Sequence, residues 1–423
     1  MAMKNISYPR LMLIIFVLLM VFEGAIRKWI FPFLGTPLQI LRDLIPALAF
    51  IIFIGSKSLS HNFKKLSPNN VIIIPFCFYF VFSIFSSLIS ALDSFFVALL
   101  GIRTHFAYAP LAILIPFVLK NVSSVNVLLF RMALISVPVD ILAIYQSTQS
   151  AESWLNIYGT GEEAGAFFGD QLLVRATGTF SYITGMGYYS QFSAITSFYI
   201  AMTTSDLRTR LFSALAMSIA IMACFSTGSR AVVFGVVLQI FIMILIYPAL
   251  LKQILTSLNK NAFVIAFAII LVAYFSSDQL DAFVQRSQIN SDDTGWRLTD
   301  GFFEWVNIVI SEPIGKGLGS GHQQAAIFSG GEGGFGGSNS LPESELSRVA
   351  LELGILGFLS YLVFKTAVIY TSFRVSVSSK TKTLKMLSGL SLSFFLILVL
   401  GGVYSPISNA IYWFSIGLIF IVN

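Results

Sequence analysis

The sequence predicts an all-α polytopic membrane protein with about twelve transmembrane helices, and three observations predict it. The 423 residues are 56% hydrophobic and only 11% charged. A soluble domain carries roughly 25% charged residues, so this chain cannot cover a water-facing surface. Mean hydropathy is +0.83. Apolar runs recur at lengths near the ~20 residues that a helix needs to cross a bilayer. The basic residues collect in every second connection between those runs. Residues 1–423 therefore read as a single integral membrane domain.

The first run begins at Leu11 and lacks a small-residue cleavage site, so it reads as a retained span rather than a signal peptide. Spans are expected near 9–27, 37–54, 71–90, 94–118, 125–146, 179–201, 209–226, 230–250, 261–276, 346–370, 384–401 and 406–422. One set of connections holds Lys4, Lys57, Lys64, Lys65, Lys120, Arg208, Arg210, Lys252, Lys260, Arg374, Lys380, Lys382 and Lys385, with Asp206 as its clear carboxylate. By the positive-inside rule that side is cytoplasmic, with both termini inside. The net charge of +6 is mostly this topological signal, and nucleic acid is not an expected partner. Cys77 and Cys224 both fall in apolar runs, so no disulfide framework or zinc-type cluster is implied.

Two long connections fall outside, 147–178 and 277–345. Long loops are usually functional or disordered. The second contains TGWRLTDGFFEWVNIVISEP, an amphipathic stretch capped by Asp293 or Thr294 and ended by Pro313. Trp296, Phe302, Phe303, Trp305 and Val306 form its apolar face, which is expected to lie on the outer membrane surface. Nucleotides are scarce on that side, which argues against nucleotide-sugar or ATP chemistry.

Charged residues at membrane depth cost ~3 kcal/mol or more on insertion scales unless paired or wetted. Arg230, in FSTGSRAVVFG, sits at the outer end of the eighth span and is either functional or a snorkelling anchor. Arg131 and Asp140 are nine residues apart, so they are not partners on one helix face, and Arg131 is expected to snorkel. Arg103 and His105 are either structural or in contact with a lipid headgroup. EPIGKGLGSG (312–321) lacks the spacing of a phosphate loop and follows no strand, so its glycines suit a tight return. SGGEGGFGGSNS (329–340) is a flexible linker or a hinged gate. Asp292 and Asp293 could hold a divalent cation, but a helix cap suits them better.

Four ordered segments together resemble the O-antigen ligase and polymerase superfamily of bacterial envelope enzymes. They are RATGTFSYITGMGYYSQF (175–192), STGSRAVVFGVVL (226–238), RLTDGFFEWVNIVISEPIGKGLGSG (297–321) and ESELSRVALELGILGF (343–358). The last ends in an E-x-G-x-x-G pattern at Glu352, Gly354 and Gly357. The resemblance covers about residues 175–370. It implies a glycosyltransferase C-like fold in the bacterial inner membrane, with its active site facing the periplasm. It also implies a polyprenyl-diphosphate-linked oligosaccharide donor and acceptor, no metal and no cofactor. Membrane lipids and a chain-length regulator would be further partners. The ligase branch carries a histidine nine residues before the Glu of E-x-G. Here that position is Glu343, which favours a polymerase and makes Glu343 the expected base. By motif position Arg230 and Arg297, then Arg175 and Arg348, are the expected diphosphate ligands. The alternatives are a ligase or oligosaccharyltransferase to a lipid core or protein, and a lipid-linked glycan transporter. Transporters often show inverted repeats, and no internal repeat is evident here.

Overall fold

The computed structural model describes residues 8–55, 70–162, 164–168, 171–260, 303–328, 341–342, 344–399 and 401–422. Apolar composition sustained over long runs gives helices α1 (Tyr8–Ala25), α2 (Gly35–Gly55), α3 (Asn70–Asp93), α4 (Phe95–Phe106), α5 (Pro110–Leu119) and α6 (Val122–Ser147). These are followed by α7 (Ile183–Thr203), α8 (Leu207–Ser226), α9 (Arg230–Ile246), α10 (Ala249–Lys260), α11 (Glu345–Ser378), α12 (Lys382–Ile397) and α13 (Pro406–Val422). The starts are specified locally. The side chains of Asn121, Asp206, Ser344 and Thr381 each accept a backbone N–H of the first turn that they cap. Pro110 and Pro406 open α5 and α13, where a missing N–H costs nothing.

Seven helical segments among the described residues are long and apolar enough to cross a membrane: Tyr8–Ile30, Pro32–Gly55, Asn70–Asp93, Phe95–Leu119, Val122–Ser147, Leu207–Ser226 and Glu345–Ser378. The count becomes eight if α9 and the turn-linked helix after it are taken as one span, and there the expectation needs correction. The run 230–250 is not continuous. The helix stops at Ile246, and across Tyr247 and Pro248 the chain bends by 117° into α10. α12 and α13 have 16 and 17 residues, short of a full crossing on length alone. The expected ninth span, 261–276, lies outside the described residues.

α7 has 21 residues, yet its Ser, Thr, Gln and Tyr content keeps it out of the apolar set. Its position explains this. α7 is buried nearly all round, packed by α6, α8, α9, α12 and α13, so its polar side chains meet protein. Gln191 Nε2 donates to Gln239 Oε1 of α9 at 3.0 Å, and Ser190 donates to Asp140 Oδ1 of α6 at 2.8 Å. Asp140 is thus a partner of the central helix and not of Arg131.

Contacts between helix ends are made at two places. At one, Lys382 of α12 donates to the Met202 carbonyl and, at 2.7 Å, to Gln253 of α10. At the other, Lys28 donates to Thr177 Oγ1 and the Gly178 carbonyl, both at 2.8 Å. Thr179 donates to the Val21 carbonyl at 2.6 Å, and Gly178 donates its N–H to Gln146 at 2.7 Å. The segment before α7 is therefore tied to α1 and α6. It also carries an antiparallel hairpin, the one pair of strands among the described residues, β1 (Gly165–Phe168) and β2 (Gln171–Val174).

Candidate functional site

The glycine return after residue 311 is more than a turn. It threads between α3, α4 and α11 and borrows their backbone. Leu318 donates to the Ser86 carbonyl of α3 at 3.2 Å, and Ser90 donates to the Leu318 carbonyl at 2.8 Å. On the opposite side Lys316 and Gly317 donate to the carbonyls of Leu351 and Glu352, at 2.7 and 3.2 Å. Ile355 donates back to the Pro313 carbonyl at 2.9 Å. Such exchange needs α11 to break its own ladder, and it does so at Gly354, where φ is +63° and ψ −169°. This is conformational space that only glycine enters without strain. The approach also excludes a side chain. A Cβ at Gly354 would lie 2.5 Å from the carbonyl oxygens of Pro313 and Ile314, and one at Gly317 would lie 2.5 Å from the Ser90 nitrogen.

Glu352, fully buried one residue pair before that break, fastens the loop. Its Oε1 accepts the Gly321 N–H at 3.0 Å, and its Oε2 lies 2.8 Å from His105 Nε2. The other imidazole nitrogen of His105 meets the Tyr79 hydroxyl at 2.5 Å. His105 is therefore structural. It links α3, α4, α11 and the glycine loop through one buried chain of hydrogen bonds.

Arg103 is structural as well. Its guanidinium holds Asp43 Oδ2 at 2.6 Å, while Asp43 Oδ1 takes Arg42 Nε at 2.8 Å and the Tyr108 hydroxyl. Arg42 also reaches Glu23 Oε2 at 3.0 Å. Four ionisable side chains from α1, α2 and α4 thus neutralise one another inside the bundle. Charges buried in this way persist only when paired and hydrogen-bonded. Sequence reasoning missed Glu23, Arg42 and Asp43. Their signal was present, since three charges inside the first two apolar runs at membrane depth need partners.

Beyond this frame lies a rim that carries three of the expected site residues, Arg175, Arg230 and Arg348. Arg175 leaves the hairpin with its N–H on the Ala164 carbonyl at 2.9 Å. Its guanidinium donates to the Thr227 carbonyl at 3.3 Å, in the turn that leads through Gly228 to Arg230 at the start of α9. Arg175 and Arg230 are thus neighbours around one turn. α7 begins beside them, since Gly187 faces Val232, two residues after Arg230. The next residue, Tyr188, faces Gly401 together with Glu345 of α11. Glu345 Oε2 accepts the Val403 N–H at 2.8 Å. Arg348, one turn on, donates to the Pro342 carbonyl at 2.7 Å and lies over the Tyr404 ring, 5.6 Å from its centre. The 175–192 and 226–238 segments thus touch directly, and 175–192 and 343–358 meet on either side of Gly401. Glu343 and Arg297 lie outside the described residues, as do Asp292, Asp293, Trp296 and Phe302.

His322 is brought to the same rim by the glycine loop. Its ring faces Tyr404 at 6.3 Å, and its Nδ1 accepts the Gln324 N–H at 3.1 Å. Burial pushes its pKa down to about 4, so at neutral pH the imidazole is uncharged. With Nδ1 occupied as acceptor, the proton sits on Nε2, and the free edge of this ring donates.

The helix over 303–311 flanks the rim and differs from the expected surface helix. Trp305 packs on Phe358 of α11 with ring centres 5.1 Å apart, and Val309 is buried. Phe303 and Ile310 remain 67% and 74% exposed. Its apolar residues are divided between docking on α11 and facing outward.

What the rim offers chemically is clear from its groups. Arginines bind phosphate oxygens in forked pairs. A carboxylate beside apolar helices can accept a proton. Tyr188, Tyr404 and the Nε2–H of His322 add donors. Among the described residues, no cluster of His, Cys, Asp and Glu has the geometry to hold a metal ion. Comparison with protein-family models, with curated proteins and with solved structures finds no match.

Proposed function

We propose that the protein is a membrane glycosyltransferase of the polymerase type, moving a glycan from a polyprenyl diphosphate to a sugar hydroxyl of another lipid-linked repeat unit. The supporting observation is that Arg175 bonds the turn that leads to Arg230, while Tyr188 of the adjoining α7 and Glu345, one turn before Arg348, both face Gly401. In the proposed reaction the acceptor hydroxyl attacks the anomeric carbon, the bond to the diphosphate breaks, and polyprenyl diphosphate leaves. Glu343, two residues before the start of α11, takes the hydroxyl proton. The arginines, with Arg297, take the charge that develops on the diphosphate. Guanidinium groups in that role leave no step that needs a metal. The reaction would run at the bacterial inner membrane with the rim facing the periplasm and both termini inside.

The test is genetic and then biochemical. Glu343→Gln and Arg230→Ala should each abolish polymer while protein levels stay normal; long-chain glycan in either mutant refutes the site. Purified protein given lipid-linked oligosaccharide should lengthen the glycan on one lipid. A change of leaflet without a longer product would mean a transporter. Activity lost to EDTA and restored by Mg²⁺ or Mn²⁺ would overturn the arginine mechanism.

A further inference from the structure

A cavity of about 240 Å³ opens between α1, α5, α6, α7 and α13, away from the rim. Its walls are aliphatic and aromatic, and its charged lining residues are Arg10 and Arg131. Both arginines are exposed, and neither pairs with a carboxylate among the described residues. Arg10 lies in the first turn of α1. Ser124, in the first turn of α6, lines the same cavity, and Arg131 follows about two turns further along that helix. The cavity then follows α1 to Val21 and ends at Tyr189 and Ile407, near the rim. From residue 10 to residue 21 a helix rises about 16 Å. That is about half of the ~30 Å hydrocarbon core, the depth of one leaflet.

We propose that this cavity binds one anionic phospholipid of the leaflet on the Arg10 side, with its phosphate on Arg10 and Arg131 and an acyl chain along the groove. An apolar cavity without polar partners does not hold water, so a hydrocarbon chain is its natural filling. Two cations and no lining carboxylate select net negative charge. A choline headgroup would bring its own cation against the guanidiniums. The polyprenyl diphosphate of the proposed reaction is a poorer match, because no arginine lines the end of the cavity near the rim. A lone arginine here would be a snorkelling anchor, but two lining one apolar cavity suit a phosphate.

The experiment uses delipidated full-length protein in a neutral detergent, titrated with phosphatidylglycerol or phosphatidylcholine of identical acyl chains. Bound lipid is read by native mass spectrometry and by the rise in Tm. Phosphatidylglycerol should bind about tenfold tighter, the equivalent of about 1.4 kcal/mol, and the advantage should shrink with salt. The double variant R10Q/R131Q, exposed and fold-neutral, should bind the two lipids equally. Met132→Trp, or Val17→Trp from the facing wall should M132W fail to fold, should weaken both lipids by filling the groove. Equal affinities in the wild type, or a preference that survives in R10Q/R131Q, overturn the proposal. So does polyprenyl phosphate that displaces phosphatidylglycerol and binds R10Q/R131Q undiminished.

Discussion

Replacing Gly354 by alanine tests the seam between the glycine loop and α11. The residue holds φ +63° and ψ −169°, which for a residue with a Cβ costs about 1–3 kcal/mol. The added carbon would also sit 2.5 Å from two carbonyl oxygens, and backbone cannot rotate away as a side chain can. Relief requires the loop to move off, which breaks the bonds of Lys316, Gly317 and Ile355 to their partners. At about 1 kcal/mol for each bond, the total is about 4–6 kcal/mol. Gly161 is the matched control. Its φ is +90°, but nothing lies within 4 Å of the Cβ it would gain, so G161A should cost only the strain of about 1–3 kcal/mol. Unfolding entropy of about 2 cal/mol/K per residue sets about 0.9 kcal/mol per degree for a chain of this length. Tm should then fall by about 4–7 °C in G354A and by about 1–3 °C in G161A. Limited proteolysis should cut within 312–321 in G354A alone. Equal Tm losses, or a loop still protected in G354A, would refute the seam.

Three more predictions follow from the frame and the rim. Glu352→Gln and His105→Ala should be non-additive in unfolding free energy, with a coupling of about 1–3 kcal/mol in a double-mutant cycle, because they share one buried bond at 2.8 Å; additivity would show that the bond is not made. Asp43→Asn strands two guanidiniums and should cost about 3–5 kcal/mol, whereas Arg103→Gln, whose side chain is 31% exposed, should cost about 1 kcal/mol; denaturant titration of both variants ranks them. His322 has a folded pKa near 4, below its ordinary value of about 6.5. The unfolded chain therefore binds more protons in that window, so stability is complete above about pH 6.5 and falls as pH drops toward 4. His322→Asn should flatten that part of the Tm profile.

The sequence carried the membrane character of the chain well, because apolar length and alternate basic connections are local signals. Of the segments grouped by resemblance, the structure shows 175–192 against 226–238 through Arg175 and Gly187. The polar interior was harder to read. α7 looked like one more span, yet its serines and glutamine mark it as the centre of the bundle, a distinction that depends on neighbours far away in sequence. Arg103 and His105 gave no choice between a lipid and a protein partner, because Asp43 and Glu352 lie on other helices. The EPIGKGLGSG glycines were legible as backbone freedom. What they approach, the opened ladder at Gly354, is a contact between segments that the E-x-G pattern alone does not reveal.

The threaded loop has a consequence for biogenesis. Residues 312–321 rest against α3 and α4, made early in synthesis, and against α11, made after the loop itself. Until α11 is made, the loop lacks the Leu351 and Glu352 carbonyls to which Lys316 and Gly317 donate. Closure is thus a late assembly event that joins the two halves of the chain. Fragments split between α10 and the loop should associate through α13 on α5 and α12 on α9, and more tightly when the second fragment retains the loop, which then serves as a clasp between the halves.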